Sequence, residues 1–97
     1  MLDSARSAAK DNPIGLFGSS VAATWLAAGL GNSVAFFVDE DPGRAGRNHM
    51  GRPILRPNEV PAGSTIYLAF LRKVADAIAT RLANLPVRWA APPESLG

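Results

Sequence analysis

"FFVDEDPGRAGRNHMGRPI", residues 36–54, starts as the most apolar strand in the chain and then breaks into acids, glycines and arginines. The junction decides the fold. With the residues before it, the segment reads "SVAFFVD", a continuous β-branched and aromatic run with no polar alternation. Such a run belongs in a sheet covered on both faces, the usual condition of parallel sheets. Asp39, Glu40 and Asp41 close the strand, and Pro42 and Gly43 forbid its continuation. The stretch from 39 to 63 holds most of the prolines, glycines and charges. Its one short apolar piece is Ile54 and Leu55, so it reads as a basic, structureless loop.

Working outward, "PIGLFGSS" is a short apolar run between Pro13 and Gly18 that reads as a strand near 14–17. "SVAATWLAAGLG" follows as a helix near 19–30. A serine caps its free N–H groups, and Gly29, Gly31 and Asn32 stop it. This helix has almost no polar face. It must be buried on more than one side, or present Trp25 or Leu26 to a partner. "STIYLAF" gives a third strand near 65–69. A helix near 71–84 comes next, with Leu71, Val74, Ala75, Ile78, Ala79, Leu82 and Leu85 on one stripe and charges opposite. "PVRW" adds a short last strand. The first twelve residues read as a flexible linker or tail with transient helicity, and residues 94–97 as another tail.

Strand, helix, strand, loop, strand, helix, strand is the grammar of a small three-layer α/β sandwich. Its mostly parallel sheet has three to four strands, with the first strand in the middle and the second and third beside it. The helices fall on opposite faces. Ninety-seven residues suit one domain, and a composition 47% hydrophobic and 19% charged excludes disorder of the whole chain. No cysteine is present, which removes disulfides and thiolate metal sites. The single histidine, His49, supports neither a metal site nor a catalytic pair. A net charge of +2 does not call for nucleic acid. The apolar stretch from Val21 to Gly31 is too short to span a membrane, so the chain reads as soluble, and with no cysteine a reducing cytoplasm is its expected compartment.

Ligands of such sheets bind beyond the carboxyl ends of the strands. That points to Gly18, Ser19 and Ser20, between the first strand and first helix, where N–H groups and the helix dipole favour a phosphate. The bland alternative is a tight turn and a capped helix, since "GLFGSSVA" matches only part of the G-x-G-x-x-G pattern. Asp39 stands about 20 residues later, where nucleotide-binding folds place an acid for the ribose hydroxyls. Asp41 could share that task or cap the following turn. Arg44 and Arg47, with Arg52 and Arg56 beyond, offer forks for phosphate or carboxylate, or pair with the acids beside them. No nucleophile–base pair or convergent acid pair is legible, and no catalytic residue is assigned.

The segments "GLFGSSVAATWL", "FFVDEDPGRAGRNHMGRPI", "TIYLA" and "VADAIATRL" together resemble the Rossmann-like C-terminal domain of sugar C-methyltransferases. These are S-adenosylmethionine-dependent enzymes that act on nucleotide-linked deoxysugars. The chain is also similar, more distantly, to the N-terminal nucleotide-sugar-binding domain of sugar O-acyltransferases. The resemblance covers residues 13–93. Its most specific part is the acid-Pro-x-Arg-x-Gly run leading to Met50, Gly51 and Pro53. It implies a nucleotide-sugar-binding domain with Gly18, Ser19, Ser20, Asp39 and Asp41 at the ligand. It implies no cofactor in this domain and S-adenosylmethionine in an upstream domain of a parent protein. Such a chain is an excised domain or a stand-alone relative. Its partners would be the nucleotide-linked sugar and either that upstream domain or a second copy.

Overall fold

The computed structural model describes residues 2–18, 21–68 and 72–91. The elements are α1 (Leu2–Ala8), β1 (Ile14–Phe17), α2 (Val21–Leu30), β2 (Val34–Val38), β3 (Asn48–His49), β4 (Arg52–Leu55), β5 (Thr65–Tyr67), α3 (Arg72–Arg81) and β6 (Arg88–Ala90). The strands form one six-stranded sheet in the order β3-β4-β2-β1-β5-β6. Every pairing is parallel except that of β3 with β4. β1 is therefore central, flanked by β2 and β5, as the alternation of segments predicts.

Each β1 residue is buried, because side chains alternate between two covered faces. On one face Ile14 and Leu16 join Phe37, Ile54 and Tyr67 beneath Ala23, Leu26, Ala27 and Leu30 of α2. On the other, Phe17, Phe36, Val38, Ile66 and Leu68 pack against Ala75 and Ile78 of α3. The two helices thus cover opposite faces. In β2 the alternation is broken by a shift in register, since Ile14 faces Val34 but Gly15 faces Phe36. Ala35 is the extra residue and is exposed. The bulge rephases the strand, so that Val34 and Phe37 reach one core while Phe36 and Val38 reach the other.

Three sequence expectations need correction. The sheet has six strands, not three to four, because the stretch after Asp39 contains β3 and β4. These strands form a hairpin: Asn48 pairs with Pro53 and His49 with Arg52, leaving Met50 and Gly51 as a two-residue turn. Both turn residues have positive φ, 53° and 77°, as a primed hairpin turn requires. Asn-Gly is the usual signal for that turn, and methionine in its place hides it. Second, residues 2–8 are helical. Seven residues are too few to hold a helix alone, so docking stabilises α1. Ala5 is fully buried, Leu2 lies over Gly29, and the Ser4 hydroxyl donates to the Ala91 carbonyl at 3.2 Å. Third, Val74, expected on the buried stripe of α3, is 45% exposed, and the helix ends at Arg81 rather than 84. Residues 69–71, expected to end a strand and begin a helix, lie outside the described residues.

Gly15 is required by packing. A Cβ there would stand 2.2 Å from Cε2 of Phe36, whose ring occupies the space above the glycine. Gly15→Ala should force that ring from its place between β1 and α3. The expected destabilisation is about 1–3 kcal/mol, read from the denaturant midpoint at unchanged m-value. Tyr67 supplies a second test. It is fully buried, burial raises its phenol pKa above the ordinary 10.0, and its hydrogen bond with the Ser4 side chain opposes that rise. A raised folded-state pKa gives stability that is complete below the unfolded pKa and is lost as pH rises through the folded one. Urea midpoints should therefore fall in the alkaline range above pH 10.0, and Tyr67→Phe should flatten that fall.

Candidate functional site

The carboxyl ends of β1 and β2 stand side by side. Gly18 ends β1 with φ of 84°, a conformation that favours glycine, and its N–H donates to the Val38 carbonyl at 2.5 Å. That N–H is consequently spent within the protein and is not turned toward an anion. Ser19 and Ser20, the other residues of the expected phosphate turn, lie outside the described residues. The next strand end is held in the same manner, as the Asp39 N–H donates to the Leu55 carbonyl of β4 at 3.0 Å.

Asp39 is largely covered, with its side chain 13% exposed. One carboxylate oxygen accepts the Asp41 N–H at 2.9 Å, and the other lies 3.6 Å from the Arg44 guanidinium. Asp41 repeats the arrangement one step on. Its Oδ1 accepts the Gly43 N–H at 2.8 Å, its Oδ2 lies 3.8 Å from Arg44 Nε, and its carbonyl accepts the N–H groups of Arg44 and Ala45. The two acids fold the start of the loop into successive side-chain-to-backbone turns and place Arg44 between them. Of the sequence candidates, Gly18, Asp39, Asp41 and Arg44 are brought together at adjacent strand ends. Arg44 is more than half exposed, so its ion pairs are weak and exchangeable.

Arg47 lies further out. Its carbonyl accepts the Ile54 N–H and its side chain is exposed, at the outer side of β4. Arg52 is elsewhere altogether. It begins β4, at the amino ends of the parallel strands, where Nε donates to the Val34 carbonyl at 2.9 Å, Nη1 to Met50 at 3.0 Å and Nη2 to Gly31 at 2.5 Å. One guanidinium thus joins the end of α2, the start of β2 and the hairpin turn. His49 is also structural. Its Nε2 is 2.8 Å from Thr24 Oγ1 of α2, and its ring meets Phe37 edge-on at 4.8 Å between centroids. Sequence reasoning grouped these residues with Arg44 because they share a loop, but the hairpin carries Arg52 to the amino end of the sheet and turns His49 against α2 and Phe37.

Glu40, missed as a positioning residue, pairs with Arg81 at the end of α3. It ties the carboxyl end of β2 to the last turn of that helix. Beyond it a groove of about 490 Å³ opens between the loops after β2, β4 and α3. No local motif announces this groove, because its walls are drawn from residues more than forty positions apart (Glu40 and Leu85 among them). Among the described residues, no group of three or more His, Cys, Asp or Glu side chains could hold a metal ion. No helix among them is long and apolar enough to cross a membrane. No protein-family model matches the sequence, and no curated protein matches it.

The placement of Arg52 separates structure from binding. Arg52→Met keeps the aliphatic stem and removes three charge-assisted hydrogen bonds, at an expected cost of about 2 kcal/mol in chemical denaturation. The amide resonances of residues 39–44 should stay in place, because that segment is held by the Asp39 and Asp41 carboxylates instead.

Proposed function

We propose that this chain is a ligand-binding domain for a nucleotide, of the nucleotide-sugar class, and that it serves a larger sugar-modifying transferase. The observation that carries the reading is the pairing of strand order with chemistry. Numbered along the chain, the parallel strands β4-β2-β1-β5-β6 run 3-2-1-4-5, the order of a Rossmann-like sheet. In that architecture a glycine turn after the first strand and an acid at the end of the second receive phosphate and ribose. Gly18 and Asp39 occupy those two positions, on neighbouring strands whose ends are hydrogen-bonded.

The ligand would be held by Ser19 and Ser20 at the phosphate, with Gly18, whose N–H is already bonded to Val38, admitting it by lacking a side chain. Asp39 or Asp41 would take the ribose, and Arg44 or Arg47 a second phosphate or the sugar. The Asp39–Arg44 pair suits exchange. An incoming phosphate can take the exposed guanidinium, releasing the carboxylate oxygen for a hydroxyl. No catalytic residue is proposed. In a parent methyltransferase the methyl donor, S-adenosylmethionine, would belong to an upstream domain.

A second reading is an interaction or oligomerisation module. It is favoured by Trp25, 59% exposed on a helix with hardly a polar side chain, beside exposed Ala28. The partner would be the upstream domain or a second copy, and the two readings are compatible.

Titrating nucleoside diphosphate sugars into isotopically labelled protein tests the first reading. Amide signals of Gly18 and of residues 39–44 should move together, and Asp39→Ala should weaken binding about tenfold without unfolding the chain. Absence of binding at millimolar ligand, or shifts confined elsewhere, would reduce the acids to partners of the loop arginine.

A further inference from the structure

One wall of the groove beyond Glu40 follows the carboxyl ends of β2 and β4, and the other is the segment after α3 that leads to the start of β6. Strand ends follow the order β1, β2, β4, each step being about 4.8 Å, so Gly18, Asp39 and the Arg56–Asn58 segment span roughly 10 Å. A nucleotide laid out as phosphate, ribose and base has its parts in that order.

The groove has the chemistry for the third part. Pro42 and Pro57 form stiff apolar walls, and Leu82 and Leu85 add apolar surface from the segment after α3. Asn58 and Asn84 contribute two exposed side-chain amides, neither of which has a hydrogen-bond partner among the described residues. An amide carries both a donor pair and an acceptor, which matches the alternating edge of a heterocycle. Arg56 adds a guanidinium plane able to stack on a ring. Its backbone is fixed independently, because the Arg56 N–H donates to Glu59 Oε1 at 2.8 Å and the Glu59 N–H returns to the Arg56 carbonyl at 2.9 Å. The Glu40–Arg81 pair bridges the two sides of the groove at its surface. A volume of about 490 Å³ is ample for a nucleobase and falls within the range of small-ligand sites.

We infer that this groove is the subsite for a planar heterocyclic base, with Asn58 and Asn84 reading its edge and Arg56 stacking on its face. The inference rests on the nucleotide reading above, and the two are separable by experiment. The labelled full chain is titrated in parallel with uridine 5′-diphosphate, adenosine 5′-diphosphate and ribose 5-phosphate. Both nucleotides should shift Arg56, Asn58, Asn84 and Leu85 together with Gly18 and residues 39–41. Ribose 5-phosphate, which lacks a base, should shift only Gly18 and residues 39–41. Asn58→Ala and Asn84→Ala, both at exposed positions, should each weaken the preferred nucleotide about tenfold and leave ribose 5-phosphate unchanged. Nucleotide shifts at Gly18 and residues 39–41 with a silent groove would overturn the base subsite and leave the nucleotide reading standing. A groove that responds equally to ribose 5-phosphate would also overturn it, since the site would then take a sugar. If no ligand moves either region, both readings fall.

Discussion

The central position of β1 is the constraint on which the rest of the structure depends. A strand paired on both edges and buried on both faces has no contact with solvent along its length. Two parallel neighbours must satisfy its backbone, and a layer of helix must cover each face. The close approach of Phe36 to Gly15 locks the register between β1 and β2 on one of those faces. From that register follows the level at which each strand ends. Gly18 and Asp39 are neighbours because Phe17 lies beside Val38.

Edges of such a sheet need closing, and the chain does this economically. The β3 edge is only two residues long and is bent back by a tight turn, which leaves little backbone for another chain to pair with. Arg52 then fastens the hairpin to the start of β2 and to Gly31 just after α2, and His49 fastens it to Thr24 within α2. At the carboxyl end Arg44 and Arg81 bind acids instead. Basic residues close together in the sequence thus do different work at the two ends of the sheet.

The strand-end acids bear two demands at once. Asp39 and Asp41 organise the loop by accepting backbone N–H groups, and they are also the groups proposed to meet the ribose. These demands are compatible because a carboxylate has two oxygens. In each acid Oδ1 is committed to a backbone N–H, whereas Oδ2 faces an exposed arginine at the long distance of 3.6–3.8 Å. A loop already ordered by its own acids loses less conformational entropy when a ligand arrives.

The sequence by itself determined the elements whose hydrophobic pattern is continuous. Val34–Val38, Ile14–Phe17, the apolar helix and the amphipathic helix are each legible because burial on both faces, or along one stripe, leaves a local trace. The acid at the end of β2 was legible for the same reason, since a strand that ends sharply marks its own end. Tertiary structure alone decided the rest. β4 exists because Phe37 and Val38 offer a parallel edge to a short Ile54–Leu55 piece, and its turn is held with Met50 at positive φ. α1 exists because Ala5, Leu2 and Ser4 find a surface over α2 and Tyr67. The groove exists only where three loops distant in sequence converge. In each case the stabilising partner is remote along the chain, and local residue patterns carry no record of a remote partner.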